Sequence, residues 1–530
     1  MNFLIHPERR VVLLQSPPEE RWVLNTLPAG STVDRRLAIV PYTLNNTRWL
    51  RSVNIPVPSP IGYYYIWPRD KKLIPHPMEK QIETSGFLTL NNRAYCLNSI
   101  GTGKTMSAAW ASDYLMTERV IRKVLVVSPL STLERVWGDS IFFHLRHRTC
   151  AVLHGTAAKR RQLFLQPHDY YVVNHDGFEL LCQITKDTKG QRSIRLLRDD
   201  IDLVIIDELA VYRNGQTEKH KILRAALKPS TWVWGLTGTP IPNAPTDAWA
   251  QCRIITPHTV PGFFTSFKNQ TMQQVTMYKW VPRKEALEVV YKAMQPAIRF
   301  AREEVFTLPG ELHTERSVEL TKDQKKHYQE LLKELYTEIN EGKVTAVNEG
   351  VKILKLLQVA CGVVYDKTGV QHEIDCKPRV STVLEIIEEA GEKVLVFAPF
   401  TGSVHMLHRE ISKHWTCEMV YGKTSPANRN RIFSAFQDSD DPHVIVADAG
   451  CMSHGLTLTQ ASTIIWYAPT TSNEEYVQAN GRITRAGQTT VANIVHIEAT
   501  TLERAMYKRL KDKTALQGLL LNMVKNGGLT

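Results

Sequence analysis

The chain lacks any run of about 18 consecutive apolar residues, so the sequence predicts no helix able to span a bilayer. Its start, MNFLIHPERR, has no basic segment leading into a long apolar core, which argues against a secretory leader. The eight cysteines, Cys96, Cys150, Cys182, Cys252, Cys361, Cys376, Cys417 and Cys451, are dispersed and form no C-x-x-C pair. Neither a zinc site nor a disulfide framework is expected from such spacing. Internal repeats and low-complexity tracts are also missing. Together these absences predict a soluble intracellular protein with no membrane association.

A length of 530 residues exceeds the usual single-domain size of roughly 100 to 200, so several cores should form. Hydrophobic residues make up 43% and charged residues 22%, which is ordinary for a globular chain and excludes wholesale disorder. Lys and Arg total 65 against 53 Asp and Glu, a formal +12. That balance suits a polyanionic partner, although many soluble proteins are equally basic and motifs must decide.

Short apolar, β-branched runs occur at 124–127, 203–206, 394–397, 444–446 and 464–466. Such continuity fits parallel strands buried on both faces by helices. The runs fall into two clusters, predicting two α/β parallel-sheet domains, at 76–250 and 376–530. Between them, 251–375 contains LTKDQKKHYQELLKELYTEI and the stretch Val351 to Ala360, whose good helix formers at helical spacing predict a helical insertion. Pro-rich IPVPSPIGYYYIWPRD sets apart an N-terminal accessory segment, 1–75. That segment combines arginines with Trp22, Trp49, Tyr63, Tyr64, Tyr65 and Trp67. It is either a small β-rich domain with these aromatics in its core or a reader of DNA structure that stacks on unpaired bases.

Residues 97–105 read LNSIGTGKT, ending in the Gly-x-Gly-Lys-Thr of a phosphate-binding loop between a strand and a helix. Gly101 and Gly103, flanking Thr102, allow a tight turn that aims N–H groups at phosphate oxygens at the positive end of the next helix. Lys104 supplies charge for the β and γ phosphates, and Thr105 can place its hydroxyl on Mg²⁺. Asn98 stands where the first glycine of the pattern is usual. In IDLVIIDELA, the apolar run leaves Asp207 and Glu208 at the carboxyl end of a strand, where ligands of open α/β sheets bind. Asp207 is assigned to Mg²⁺ and Glu208 to polarising the hydrolytic water. An Asp-Glu pair after a strand is often merely solvated; the phosphate loop makes it functional.

From residue 76 to about 510 the order of motifs resembles superfamily 2 helicases, and within them the Swi/Snf-type double-stranded DNA translocases, in a compact bacterial or phage form. Gln81, upstream of the loop, matches the adenine-reading glutamine, whose amide offers both a donor and an acceptor. VLVVSPLSTLERVW, 124–137, looks like motif Ia with its Pro-Leu and following Trp, and Ser128 is its candidate phosphate contact. LTGTPIPN, 236–243, matches motif III, and IRFAREEVFTLPGELHTERSVELTKDQKKHY leads through a Leu-Pro to Gln324 and Tyr328 as in the family. VLVFAPF and ADAGCMSHGLTLTQAS resemble motifs IV and V, with Gly455, Leu456 and Thr457 as backbone contacts to nucleic acid. QANGRITRAGQ, 478–488, matches the Q-x-x-G-R-x-x-R-x-G-Q of motif VI. There Gln478 is a nucleotide contact, and Arg482 and Arg485 are candidate arginine fingers on one side of a helix if the segment is helical.

The resemblance implies an ATP- and Mg²⁺-dependent motor, monomeric and cytoplasmic, acting on double-stranded or branched DNA. Fork remodelling or branch migration, as in DNA recombination and repair, is the implied use. The alternatives are an RNA helicase, a motor subunit of a restriction or defence assembly, and a non-catalytic nucleotide-gated clamp. Two departures stand out: Ala210 where relatives usually have His or Asp, and Thr484 where His is common. Both remove polar groups that could couple the two domains.

Overall fold

The structure, a computed structural model, describes residues 2–15, 23, 25–34, 37–68, 77–188, 190–276, 280–305, 309–340, 346–366, 368–452, 458–485 and 488–526. Two compact units emerge, Met1–Val305 with Leu519–Thr530, and Phe306–Gly518.

The first unit opens with four antiparallel strands, β1 (Asn2–His6), β2 (Val11–Gln15), β3 (Thr32–Asp34) and β4 (Leu37–Pro41), in the order β1-β2-β4-β3. Alternation puts Val12 and Leu14 of β2 and Ala38 and Val40 of β4 on one face, where they pack with Leu50, Ile55 and Val57 into a separate small core. Thr43 caps the helix Leu44–Ser52 by accepting from the Asn46 amide. The segment is thus β-rich.

Most of its described aromatics and several of its cations are committed to packing. Tyr65, Trp67, Trp110 and Tyr114 form edge-to-face pairs, with ring centroids 4.9 to 6.1 Å apart. The Arg48 guanidinium lies 4.5 Å from the Trp232 ring and Arg10 lies 4.7 Å from that of Tyr64. Trp22, Arg21, Arg35, Arg36, Arg69, Lys71 and Lys72 fall outside the described residues.

The main sheet of this unit is built from β5 (Arg93–Cys96), β6 (Lys123–Ser128), β7 (Cys150–Val152) and β8 (Tyr170–Asn174), then, after a hairpin of β9 (Cys182–Lys186) and β10 (Arg192–Leu196), from β11 (Ile201–Asp207) and β12 (Trp232–Leu236). A second hairpin, β13 (Met272–Gln274) and β14 (Trp280–Pro282), precedes an edge strand, β15 (Ala297–Ile298). The order is β15-β5-β12-β11-β6-β8-β7, parallel throughout. Val124 to Val127 and Leu203 to Ile206 have no exposure, as expected of strands covered on both faces. Consequently the loops after β5, β6, β11 and β12 open along one edge of the sheet, the edge at which the phosphate loop begins.

The second unit begins with β16 (Glu311–Ser317) and continues through the hairpin β17 (Val363–Tyr365) and β18 (Gln371–Glu373) to β19 (Lys393–Phe397), β20 (Cys417–Val420), β21 (Val444–Ala447), β22 (Ala461–Trp466) and β23 (Ala492–Glu498). Its six-stranded sheet runs β16-β23-β22-β19-β21-β20, again all parallel. Here the structure departs from the expected boundaries. The stretch 251–375 is not one insertion: β15 belongs to the first sheet and β16 to the second, while the helices Phe264–Thr271 and Ala286–Ala293 lie in the first unit and Lys322–Asn340 and Ala346–Ala360 in the second. Both strands are short or exposed, with no continuous apolar run to betray them.

Gln324 anchors the helical pair by donating through Nε2 to the carbonyls of Val359 (2.8 Å) and Ala360 (3.1 Å). Arg379 donates to Ala360 O and Ile497 O and pairs with Glu503 at 2.5 Å, both side chains being almost fully buried. Burying a charge pair is offset only by good geometry and further hydrogen bonds, and the Ala499 and Thr500 amides both donate to Glu503.

Candidate active site

The phosphate loop turns between β5 and the helix Lys104–Thr117. Gly101 and Gly103 both adopt left-handed backbone, with φ of +85° and +79°. The positive φ favours glycine at 103, and a Cβ there would lie 2.0 Å from Nε2 of Gln81, so the amide would have to move. The glutamine expected to read adenine is therefore seated against the loop, with its Oε1 accepting from the Met78 amide at 3.0 Å. Asn98, in the place of the usual glycine, is buried and ties the loop down. Its Nδ2 donates to Thr84 Oγ1 (2.9 Å) and its Oδ1 accepts from the Phe300 amide (2.8 Å). Thr102 is buried and donates through Oγ1 to Ser99 O at 2.8 Å, while Thr105 is half-buried.

Lys104 Nζ donates to the carbonyls of Asn98 (3.0 Å) and Ser99 (3.1 Å), folding back over the loop. Desolvation pulls its pKa below the usual lysine value, opposed by the carboxylates of Glu208 and Asp207. The charged groups assigned to one nucleotide therefore feel one another.

Asp207 is the last residue of β11, 8% exposed. Its Oδ2 accepts from Trp137 Nε1 at 2.9 Å and its Oδ1 from the Glu208 amide at 3.1 Å. Burial pushes its pKa up; the indole hydrogen bond and the Lys104 charge pull it back down. Glu208 is half-buried and holds φ at +52°, a left-handed conformation that costs a non-glycine residue about 1 to 3 kcal/mol. The left-handed residue ends β11 and turns the chain into the short helical turn Leu209–Tyr212. Ala210 follows, wholly buried, in the turn Leu209–Tyr212.

Motif III closes on the same loop. Thr237 N donates to Cys96 O at 3.1 Å, and a Cβ on Gly238 would come within 3.1 Å of the Ile100 side chain. Thr239, 1% exposed, has a hydroxyl without a hydrogen-bond partner among the described residues.

Ser128, the candidate phosphate contact, ends β6 with no exposure. The exposed hydroxyl in that motif is Ser131, beside exposed Leu130. Burial at the strand end could have been anticipated from the apolar run leading into it.

In the second unit, Gln478 lies buried on the helix Asn473–Asn480, whose N-cap Ser472 accepts from the Glu475 amide. The helix stops at Asn480, so Arg482 and Arg485 sit in the turns that follow and do not share a helical face. Arg482 is 1% exposed; Arg485 is half-buried and donates through Nε to Gly481 O at 2.9 Å. Thr484 is buried and donates to Asn480 O at 3.3 Å, closing the turn locally. Gly455, Leu456 and Thr457 lie outside the described residues.

Sequence reasoning missed Arg299. It donates to Leu97 O at 2.9 Å, burial lowers its pKa to about 10, and its charge bears on Lys104. The neighbouring backbone completes the brace, with Leu97 N donating to Ile298 O and Ser99 N to Phe300 O. Only the pairing of β15 with β5 brings it there.

The chain matches the SNF2-related domain family over residues 95–362 and the helicase conserved C-terminal domain over 378–487. Putative protein p41 of Acyrthosiphon pisum secondary endosymbiont phage 1 is 26% identical over 451 residues, covering 80% of this chain and 94% of the relative. An uncharacterized ATP-dependent helicase of Mycoplasma genitalium is 26% identical over 66% of this chain, which spans 34% of it. The Xenopus laevis SWI/SNF-related matrix-associated actin-dependent regulator of chromatin subfamily A-like protein 1 is 23% identical over 85% of this chain, which spans 44% of it. Among solved structures, the Sulfolobus solfataricus SWI2/SNF2 ATPase core in complex with dsDNA is similar with a TM-score of 0.40 and 22% identity, over 85% of this chain and 95% of that one. No helix among the described residues is long and apolar enough to cross a membrane.

Proposed function

This chain belongs to the SNF2-related family of ATP-dependent, helicase-type enzymes, and from the geometry of its phosphate loop we propose that it hydrolyses ATP to move along duplex DNA. The observation that carries the reading is the convergence on one sheet edge of Gln81, Lys104, Asp207 and Glu208, with both oxygens of Asp207 held by donors.

Mg²⁺ fits this site: each Asp207 oxygen holds one hydrogen bond and retains acceptor capacity, and Thr105 offers a half-buried hydroxyl. Bound with ATP, the ion would neutralise charge on the phosphates. The chain's own residues do the rest. Gln81 reads the adenine edge, the amides of 101–105 cradle phosphate oxygens, and Lys104 swings from its carbonyl partners to the β and γ phosphates. Glu208 accepts from the attacking water and orients it. Arg482 and Arg485 supply the cationic charge that hydrolysis needs at the γ phosphate. Because those arginines engage only a nucleotide that still carries its γ phosphate, loss of that phosphate ends the engagement and drives a step.

On the nucleic-acid side, Ser131 and the backbone of 455–457 contact phosphates, so binding is strong in low salt and indifferent to sequence. The protein works as a monomer on double-stranded or branched DNA, in fork remodelling or branch migration, within the cytoplasm of a bacterium or an infected host. The test is ATPase activity with single-stranded, duplex and branched DNA and with RNA. Duplex or branched DNA should stimulate most. Stronger stimulation by RNA makes it an RNA helicase, and no turnover makes it a nucleotide-gated clamp. A co-purifying nuclease would mark a restriction or defence motor.

A further inference from the structure

Trp137 is wholly buried, yet its indole N–H ends on the carboxylate assigned to the metal. The residue belongs to a π-helical turn, Leu133–Gly138, which runs directly into the helix Asp139–His144. π turns widen the ring of backbone by one residue and re-aim side chains, and they recur at functional sites for that reason. There is no slack in this one: a Cβ on Gly138 would sit 3.2 Å from Val152 Cγ2 and 3.3 Å from Leu133 O.

A buried indole generally finds some acceptor, so the contact alone would show little. Three other tryptophans of this unit supply the contrast. Trp234 and Trp249 donate to the backbone carbonyls of Asn91 and Pro261. Trp110 is buried with its Nε1 lacking a partner among the described residues. The fold therefore tolerates a buried indole without a carboxylate, and the Trp137 contact is not forced by burial.

Resting on the functional reading above, we propose that Trp137 is a positioning residue for the metal-binding carboxylate, fixing the plane of Asp207 so that its free lone pairs point to the nucleotide. The two donors act on different oxygens: Trp137 on Oδ2, the Glu208 amide on Oδ1. With both in place the carboxylate cannot rotate about its Cβ–Cγ bond without breaking a hydrogen bond. With the indole gone, one oxygen is released and the carboxylate samples orientations that do not bind the ion. Partners that orient metal ligands in this way typically change metal affinity by about 10- to 100-fold.

The experiment uses the full chain and the Trp137→Phe variant, which keeps most of the aromatic bulk and deletes the donor. A fluorescent ATP analogue is titrated in EDTA and again over a Mg²⁺ series, and the melting temperature is recorded in parallel. The expected result is unchanged affinity in EDTA and a Mg²⁺ half-saturation raised about 10-fold or more. A variant that only loses melting temperature, with the Mg²⁺ series superimposable on wild type, overturns the proposal. Wild-type protein that binds no nucleotide in either condition overturns the underlying functional reading instead, and so separates the two failures. Should W137F not fold, wild-type protein with ¹⁵N-labelled indoles carries the test. One strongly exchange-protected indole N–H should shift when Mg²⁺ is added to the ATP-bound protein and stay put with ATP in EDTA. No Mg²⁺-responsive protected indole contradicts the assignment.

Discussion

The hydroxyl of Tyr65 donates a 2.6 Å hydrogen bond to Oδ2 of Asp113, a residue 1% exposed on the helix that starts at Lys104. Arg148 (2.6 Å) and His147 (3.0 Å) reach Oδ1 of the same carboxylate. Nearby, Ser59 shares a 2.7 Å hydroxyl bond with Thr89, and Arg48 donates to Thr89 O, on the helix that carries Gln81. The N-terminal β-rich segment is therefore fastened both to the helix that follows the phosphate loop and to the helix that carries Gln81.

Replacing Tyr65 with Phe should destabilise the first unit by about 1 to 3 kcal/mol, the range for a hydrogen bond to a buried charged group. Chemical denaturation followed by far-UV circular dichroism measures it. No change in midpoint would mean that Arg148 and His147 alone satisfy Asp113.

Glu208→Gln should abolish turnover and keep ATP binding, because the strained position assigned to water activation is separate from the phosphate cradle. Lys104→Ala should instead lose nucleotide affinity along with turnover. Equilibrium binding of a labelled ATP analogue beside a phosphate-release assay distinguishes the two, and near-normal turnover in E208Q would remove Glu208 from the mechanism.

The two arginines of motif VI should not behave alike, given their different burial. Arg485→Ala should lower kcat by about 10³-fold or more with little change in nucleotide affinity, as for other arginines that act on a γ phosphate. Arg482→Ala should add a clear loss of stability, since its side chain is 1% exposed. Equal melting temperatures for both variants would contradict this division.

Much of this was legible in the sequence. Runs such as Val124 to Val127 and Val394 to Phe397 announced their strands because strands buried on both faces need no polar residues. The Gly-x-Gly-Lys-Thr spacing placed the loop between a strand and a helix, where the structure has it. What escaped depended on tertiary pairing. β15 has two residues and β16 is largely exposed, so neither carried a hydrophobic pattern, and Arg299 came to the phosphate loop through β15. That Ser128 is buried and Ser131 exposed was not legible, because a motif gives residue order and says nothing of which hydroxyl faces solvent. Whether the arginines of motif VI share a helix could not be read from spacing; the helix ends at Asn480, two residues before Arg482.

Breaking the buried pair in the second unit by Glu503→Gln should cost about 3 to 5 kcal/mol, because Arg379 would keep its charge without a counter-ion. Unfolding should become less cooperative as the second unit melts first. A loss below about 1 kcal/mol, the size typical of solvent-exposed pairs, would show that the pair is not desolvated in solution.

The central claim, that ATP hydrolysis moves this chain along duplex DNA, is tested most directly by displacement of a third strand from a DNA triplex placed downstream on a linear duplex. The expected result is displacement by the wild-type protein with ATP, none with ATP in the Glu208→Gln variant, and weak or no separation of a simple tailed duplex. Efficient unwinding of the tailed duplex with no release of the third strand would contradict it.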